Sequence, residues 1–335
     1  MSDPPRKLSR RAFLGGLALG AASAAAPGAA RASDGYGKGG VHGRRAEELC
    51  AFLDISRCIN CQQCVYACRE TNGHKFPEPK KPFPKMYPNK VPVEDWSERR
   101  NVTDRLTPYN WLSIQTAEVE WQGKEYRLHI PRRCLHCQNP PCANLCPFGA
   151  ARKLENGIVR IESGLCMGGA KCRAVCPWQI PQRQTGVGLY LSLMPRFAGN
   201  GVMYKCDRCF DTKVAKGELP ACVEVCPESV QSIGPREEIV ALAKRRAGET
   251  GGFLYGLEDN GGTNTIYLSP VPWEVLNEAV DSRGKHKPDL AAKPNVMANE
   301  ENLASAVFAA PVAGLAAGVF AAAKSIRDRK GGADD

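Results

Sequence analysis

The chain has 335 residues with 33 glycines, 25 prolines and 16 cysteines, and 43% of its residues are hydrophobic. This length suggests about two domains, and the glycine and proline content indicates a loop-rich body in which bound inorganic groups supplement a modest apolar core. The formal net charge is +10, but five basic residues and one aspartate in residues 1–32 supply +4 of it. The remaining positive charge is dispersed, which argues against nucleic-acid binding and favours a solvated surface or a docking face for an acidic partner.

The N-terminus carries a twin-arginine export signal. Arg10 and Arg11 stand in the sequence SRRAFL, and a Gly/Ala-rich apolar run leads from there to Ala30-Arg31-Ala32, a small-x-small cleavage site. A membrane anchor is the alternative, but the run is too short to span a bilayer. We therefore expect residues 1–32 to be removed after export of the folded protein, which places the mature chain on the periplasmic side of the cytoplasmic membrane.

Residues 33–50 are predicted to be a linker. Residues 35–40, GYGKGG, match the G-x-G-x-x-G dinucleotide fingerprint, but no strand pattern precedes them and no helix pattern follows closely. Cys50, at the end of the linker, lies outside every cysteine motif. We expect a buried free thiol there, with a metal ligand as the alternative.

Four cysteine-dense stretches hold all but one of the 16 cysteines. The first, residues 57–69, has the spacing C-x2-C-x2-C-x3-C, and the second, residues 134–147, has C-x2-C-x4-C-x3-C-P. The first spacing is that of the bacterial ferredoxin loop, in which three thiolates hold one iron–sulfur cube and the fourth reaches a neighbouring cube. In chain order the stretches contain Cys58, Cys61, Cys64 and Cys68; Cys134, Cys137, Cys142 and Cys146; Cys166, Cys172 and Cys176; and Cys206, Cys209, Cys222 and Cys226.

The fourth stretch, residues 206–227, leaves alternatives open when it is taken alone. Its two cysteine pairs fit a zinc site, and in an exported protein a disulfide framework is a further alternative. Cysteines so close in sequence seldom have the geometry for mutual disulfides, and the C-x3-C-P ending shared by the last three stretches favours iron–sulfur clusters. His136 lies inside the second loop, where no ligand is missing, so we expect it to be a hydrogen-bonding neighbour.

The third stretch, residues 166–177, is one ligand short. When it is aligned on its neighbours, the second ligand position falls on Gly169, which has no side chain. Three thiolates can hold a [3Fe–4S] cluster, which we favour, or a [4Fe–4S] cluster whose last iron takes water or another donor. Met167 and Cys50 are the candidates for such a donor, although neither has the expected position in the motif.

Short strand and helix signals surround the cysteine stretches. Residues 51–56 predict a strand that feeds the first stretch, and residues 236–246 predict a surface helix with basic residues at its end. Residues 151–161 predict a hairpin whose type I′ turn is Asn156-Gly157.

A predicted insertion, residues 71–127, separates the first two stretches. Its proline-rich beginning is followed by two strand-like runs, residues 111–116 and 119–130, with a turn at Gln122-Gly123 that makes a hairpin plausible. The insertion also contains three tryptophans that we expect to anchor its core: Trp96, Trp111 and Trp121.

The C-terminus predicts a membrane anchor. Residues 303–323 contain no charge and are followed by basic residues that begin at Lys324, so the run is long enough to span a bilayer with its basic end, residues 324–335, in the cytoplasm. Its alanine content leaves a soluble helical tail as the alternative. Gly314 and Gly318 form a small-xxx-small pair, which suits packing against another membrane helix.

These motifs resemble the four-cluster ferredoxin-type electron-transfer subunits of membrane-associated oxidoreductases. That family includes the beta subunits of formate dehydrogenase, dimethyl sulfoxide reductase and nitrate reductase. The layout is most similar to that of the tail-anchored iron–sulfur subunits of periplasmic hydrogenases and of sulfate-reducer transmembrane redox complexes. The resemblance covers residues 52–236, and residues 265–276, TIYLSPVPWEVL, resemble the segment that closes over the clusters in the family.

The resemblance implies an α+β fold of two pseudo-symmetric, loop-rich, bacterial-ferredoxin-like modules with two clusters each, followed by a C-terminal transmembrane helix. The implied boundaries are module A, residues 51–70 with 204–235; the insertion, 71–127; module B, 128–203; and a C-terminal extension and tether, 236–302.

In the family, the first and fourth stretches share two clusters, and the second and third share the other two. The resemblance thus implies [4Fe–4S] clusters on Cys58, Cys61, Cys64 and Cys226, on Cys68, Cys206, Cys209 and Cys222, and on Cys134, Cys137, Cys142 and Cys176. Cys146, Cys166 and Cys172 remain for a [3Fe–4S] cluster, with Gly169 at the missing ligand position. Iron is the metal at all of these cysteines.

The sequence contains no P-loop, no c-type haem motif and no recognisable nucleophile–base pair. We therefore expect a non-catalytic subunit that relays electrons in anaerobic respiration, between a periplasmic hydrogenase or cytochrome and a multispan membrane subunit that serves quinone or a cytochrome. The first alternative is the beta subunit of a molybdopterin oxidoreductase such as formate dehydrogenase. The second is a cluster-bearing sensor or structural protein without electron flow.

Overall fold

The computed structural model describes residues 48–88, 91–282 and 286–298. The predicted export signal, nearly all of the linker, the predicted membrane helix and the tail lie outside these residues. Within them, no helix is both long enough and apolar enough to cross a membrane.

The described part of the chain is a loop-rich mixture of short strands and helices. The strands are β1 (Leu49–Asp54), β2 (Ser113–Trp121), β3 (Lys124–Arg132), β4 (Ala151–Lys153), β5 (Val159–Ile161), β6 (Gln182–Gln184), β7 (Val202–Tyr204), β8 (Gln231–Pro235), β9 (Phe253–Tyr255) and β10 (Thr265–Ser269). The helices are α1 (Gln63–Asn72), α2 (Pro141–Asn144), α3 (Lys171–Ala174), α4 (Tyr190–Leu193), α5 (Ala221–Glu224), α6 (Arg236–Thr250) and α7 (Trp273–Ala279).

One sheet has four strands in the order β8-β1-β10-β9. Its strand β1 precedes the first cysteine stretch and its strand β8 follows the fourth. β1 pairs antiparallel with β8 and parallel with β10, where Ala51 lies opposite Thr265. The predicted strand before the first stretch is thus confirmed, two residues earlier than expected. The predicted C-terminal extension does not only pack over the cysteine loops, because its strand β10 is one of the two central strands of the sheet.

The two faces of β1 pack against different layers, as the period of two in a strand requires. Ala51 and Leu53 belong to the main core, which also contains thiols from the first, second and fourth stretches. Cys50 and Phe52 face the other way and pack against α6 through Ile239. The whole strand is buried because both faces are covered.

The hairpin in the insertion is confirmed, and it has the turn that the sequence predicts. β2 and β3 pair in register up to Trp121 opposite Lys124, so the turn has two residues. Both lie in the left-handed region, with φ of 52° at Gln122 and 74° at Gly123, as a type I′ turn requires. Trp96 and Trp111 are buried, and Trp121 is half-buried against Phe253.

The hairpin of β4 and β5 is also confirmed, but its predicted type I′ turn is wrong. Lys153 pairs with Val159, which leaves a five-residue loop. Of the two predicted turn residues, only Gly157 has a positive φ, at 77°. Asn156 instead accepts a hydrogen bond from the Ile158 N–H through its side chain and one from the Leu49 N–H through its carbonyl. Binding to β1 decides the conformation of this loop.

Two strands lead directly into cysteine stretches and so position them. β3 ends at Arg132 and is followed by Arg133 and Cys134, which begins the second stretch. β7 ends at Tyr204 and is followed by Lys205 and Cys206, which begins the fourth.

Candidate functional site

The four cysteine stretches share one local geometry. In each stretch a loop is followed directly by a helix, and the second residue of that helix is a cysteine. These cysteines are Cys64, Cys142, Cys172 and Cys222. In the last three stretches the final cysteine donates its N–H to the carbonyl three residues earlier, at 3.2, 3.2 and 3.3 Å. The third stretch therefore has the same backbone geometry as its neighbours although it has one thiol fewer.

Gly169 occupies the position at which the other stretches carry their second cysteine. In the other stretches the residue before the second cysteine has a positive φ: 56° at Asn60, 51° at His136 and 57° at Arg208. In the third stretch Gly168, directly before Gly169, has a φ of 67°. A Cβ built on Gly169 would meet no heavy atom within 4 Å, whereas one on Gly168 would lie 2.5 Å from the Gly201 carbonyl oxygen. The backbone at residue 169 therefore has room for a side chain, and a thiol is missing there only because the residue is glycine.

Three cavities are each lined by four of these cysteines. We name them the first, second and third sites. The first site is lined by Cys58, Cys61, Cys64 and Cys226. The second is lined by Cys68, Cys206, Cys209 and Cys222. The third is lined by Cys134, Cys137, Cys142 and Cys176.

The remaining cysteines of the motifs, Cys146, Cys166 and Cys172, form the fourth site. Burial and the nearby Cys166 and Cys146 together raise the pKa of Cys172 to about 12. Cys166 and Cys172 lie in one buried cluster, with Cys146 packed against it. The structure thus brings these three thiols together, beside the open position at Gly169.

The thiols of all four sites are free, with no disulfide among the described residues. Burial raises the pKa of Cys64 to about 12, with further contributions from neighbouring thiols, and burial also raises that of Cys206 to about 12. Without bound iron, Cys64 and Cys206 are therefore neutral thiols at pH 7. Binding of a cluster replaces each proton by iron, so iron–sulfur bonds have to supply the free energy of ionisation.

Backbone and side-chain donors point at the sulfurs, as they do in proteins that bind iron–sulfur clusters. The N–H groups of Ala151, Met203, Arg208 and Val230 lie 3.4 Å from the Sγ atoms of Cys146, Cys166, Cys206 and Cys226, respectively. The Asn72 amide lies 3.4 Å from Cys209 Sγ. Such donors stabilise negative charge on sulfur, which fits an anionic cluster held by thiolates.

Two buried cations complete the surroundings of the sulfurs. The guanidinium of Arg133 donates to Cys222 Sγ at 2.7 Å, and the ammonium of Lys205 donates to Cys134 Sγ at 3.4 Å. Burial opposes both charges, but negative charge on the neighbouring cysteine sulfurs outweighs it and raises the pKa of Arg133 and of Lys205. A buried cation is costly unless negative charge accompanies it, so these residues fit anionic clusters. The sequence interpretation missed both, although each directly precedes the first cysteine of a stretch.

Within the described residues, no group of three or more His, Cys, Asp or Glu side chains is arranged to hold a single metal ion. His136 is a hydrogen-bonding neighbour, because its Nδ1 accepts from the Val159 N–H at 3.0 Å and burial lowers its pKa well below the usual value. Cys50 is a buried free thiol under α6, in a different apolar cluster from Cys166. That position separates Cys50 from the gap at Gly169.

Comparison with known proteins gives a consistent assignment. Two family models, both described as a 4Fe-4S dicluster domain, match residues 57–150 and 126–236. The chain is similar to the hydrogenase-2 operon protein HybA of Escherichia coli O157:H7, with 29% identity over 68% of this chain and 71% of the relative. It is 32% identical to the iron-sulfur subunit of formate dehydrogenase-O of Escherichia coli K12, over 66% of this chain and 67% of that protein. It is 30% identical to the B subunit of the anaerobic dimethyl sulfoxide reductase of Escherichia coli K12, over 56% of this chain and 74% of the relative.

Proposed function

Because the chain belongs to the family of ferredoxin-type iron–sulfur subunits of oxidoreductases, we propose that it relays electrons between a periplasmic redox partner and a membrane subunit. Iron–sulfur clusters supply one-electron transfer when they are bound. The protein supplies cavities at which thiols converge, donors to the sulfurs and exclusion of water. The grouping of the thiols around cavities is the observation that carries the proposal.

We assign a [4Fe–4S] cluster to each of the first, second and third sites, since four thiols line each cavity. The fourth site takes a [3Fe–4S] cluster. Its support is the backbone at Gly169, which has the geometry of a ligand position but no side chain.

Successive sites lie close to one another. The Cys222 thiol of the second site lies close enough to Cys64 of the first to raise its pKa. The Cys134 thiol of the third site likewise raises the pKa of Cys206 in the second, and the Cys176 thiol of the third site raises that of Cys172 in the fourth. We order the sites first, second, third and fourth from these proximities, and a series of closely spaced sites is what an electron relay needs.

Both ends of the series have exposed apolar side chains. Beside the first site, Ile59 and Tyr66 are each 60% exposed, and Cys61 is itself exposed. Beside the fourth site, Phe148 and Leu165 are 49% and 50% exposed. Exposed apolar patches of this kind are typical of docking surfaces, so we assign one partner to each end.

We further propose export by the twin-arginine signal of residues 1–32 and anchoring by residues 303–323, with residues 324–335 in the cytoplasm. The support is the sequence: Arg10-Arg11 before an apolar run, and 21 uncharged residues before a basic tail. The protein would then work on the periplasmic side of the membrane, beside a multispan quinone or cytochrome subunit.

The periplasmic partner is a hydrogenase or a cytochrome in the first proposal, supported by the similarity to the hydrogenase-2 operon protein. A molybdopterin subunit is the second candidate, supported by the similarity to the formate dehydrogenase-O subunit. Purification of the tagged protein from gently solubilised membranes, followed by mass spectrometry, separates the two. A hydrogenase or multihaem cytochrome found together with a multispan subunit supports the first, and a molybdopterin subunit supports the second.

Reduction kinetics test the relay itself. The donor subunit identified by purification and mass spectrometry should reduce the clusters of the chain within milliseconds in a rapid-mixing experiment. Clusters that the donor cannot reduce would move the assignment to a sensor or structural protein.

A further inference from the structure

Lys205 is the most enclosed ammonium group at the cluster sites. It follows β7 and precedes Cys206, a thiol of the second site, and its residue is only 5% exposed. Its side chain lines the cavity of the third site. The charge therefore lies between two adjacent sites of the series.

Three contacts hold the ammonium in place. It donates to Cys134 Sγ at 3.4 Å, to the Cys206 carbonyl oxygen at 3.1 Å and to the Val159 carbonyl oxygen. An ammonium group has three N–H donors, so all three are used. Among the residues that the structure describes, no carboxylate forms an ion pair with Lys205, so no side chain of opposite charge neutralises it.

The fourth site differs in this respect. Arg183 is 3% exposed and donates to the Gly168 carbonyl oxygen at 3.0 Å, but it also forms an ion pair with Glu94 at 2.6 Å. The positive charge beside the fourth site is thus offset by a carboxylate. The charge of Lys205 acts on the neighbouring cluster sites without being offset by a carboxylate.

We propose that the positive charge of Lys205 raises the reduction potentials of the clusters at the second and third sites. This inference rests on the proposed electron relay. One-electron reduction adds a negative charge to a cluster, and a fixed cation excluded from water stabilises the reduced form. Because the ammonium contacts Cys134 Sγ of the third site and the carbonyl oxygen of Cys206 of the second, it favours reduction at both.

The test is an electron paramagnetic resonance redox titration of the full chain loaded with clusters. Lys205→Met removes the charge and the donors, Lys205→Gln removes the charge but keeps an amide donor, and Lys205→Arg keeps the charge. Lys213→Met is the matched control, because Lys213 forms its ion pairs with Glu218 and Glu224 at the surface. If the Met variant does not load iron, the Gln variant carries the test.

Two of the four midpoint potentials should fall in the Met and Gln variants while the other two stay at the wild-type values. The Arg variant and the Lys213→Met control should leave all four unchanged. Fully loaded variants with unchanged potentials, an equal fall of all four, or an Arg variant that shifts as far as the Met variant would overturn the proposal. A wild-type protein without four redox-active centres would instead count against the electron relay itself.

Discussion

Arg133 and Cys222 are joined by the shortest contact between a side-chain donor and a thiol in the described part of the chain, with Arg133 Nη1 2.7 Å from Cys222 Sγ. The guanidinium is 3% exposed and also donates to Gln231 Oε1 at 2.6 Å. The Cys64 thiol of the first site is close enough to contribute to the raised pKa of Arg133. Arg133 therefore lies between the first and second sites, as Lys205 lies between the second and third.

Arg133→Met should lower the potentials of the first and second sites, because the reduced clusters lose a buried cation. It should also destabilise the protein by about 1–3 kcal/mol, since Gln231 Oε1 loses its donor. A redox titration and thermal unfolding measure the two effects. Arg127→Met, which removes an exposed arginine from its ion pair with Glu118, should change neither quantity; an equal effect there would show that net charge alone is responsible.

Gly169→Cys should convert the fourth site to a four-thiolate site. The added side chain enters open space at a backbone position that elsewhere carries a cysteine. The oxidised protein should then lose its [3Fe–4S] resonance and gain about one iron atom per chain. Iron analysis and electron paramagnetic resonance of the oxidised protein provide the measurement.

Gly168→Ala is the matched control for that variant. Its Cβ would lie 2.5 Å from the Gly201 carbonyl oxygen, at a φ of 67° that favours glycine, so the variant should lose about 1–3 kcal/mol of stability and should not gain iron. A Gly169→Cys protein that retains the [3Fe–4S] signal would show that Gly169 is not the missing ligand position.

Cys50→Ala should leave the iron content and all four potentials unchanged, because Cys50 packs under α6 and away from the sites. The loss of buried volume should cost about 1 kcal/mol. Burial raises the pKa of Cys50 from 9.0 to about 11. The folded form thus favours the neutral thiol, and its contribution to stability is full below pH 9 and is lost as the pH rises through 11.

Urea unfolding at pH 8 and at pH 11 measures how the contribution of Cys50 to stability changes with pH. The stability difference between the wild type and the alanine variant should be larger at pH 8. A variant that loses iron would instead make Cys50 a ligand.

The two exposed ends should bind different partners. Tyr66→Glu beside the first site should release one partner from the purified complex, and Phe148→Glu, at the 49% exposed side chain beside the fourth site, should release the other. A charge placed in an apolar interface costs binding energy because it is desolvated without a partner. Size-exclusion chromatography with subunit analysis measures the loss. Phe253→Glu, at an exposed apolar side chain of β9 that contacts Trp121, is the control. Release of both partners by a single variant would contradict the assignment of one partner to each end.

Local patterns predicted much of the molecule because their chemistry is local. The spacing of the cysteines determines which thiols one loop can present, and Gln122-Gly123 determines a two-residue turn between alternating strands. The same reasoning was wrong at Asn156-Gly157, where the Asn156 carbonyl bonds to β1. A contact across more than 100 residues overrode the local preference for the turn.

Contacts distant in sequence account for what the sequence interpretation missed. Nothing in residues 265–269 indicates that they pair in parallel with β1, because parallel strands need no local turn signal. Arg133 and Lys205 are ordinary basic residues until β3 and β7 carry them into the interior beside thiols of another stretch. A basic residue directly before the first cysteine of a stretch is the signal that could have identified both.

An electron paramagnetic resonance redox titration of the wild-type protein, with iron analysis of the same sample, tests the central claim most directly. We predict about 15 iron atoms per chain and four centres, of which one gives a [3Fe–4S] signal when oxidised and three give [4Fe–4S] signals when reduced. A protein that holds zinc, or that shows fewer than four redox-active centres at full metal loading, would contradict the four-site electron relay.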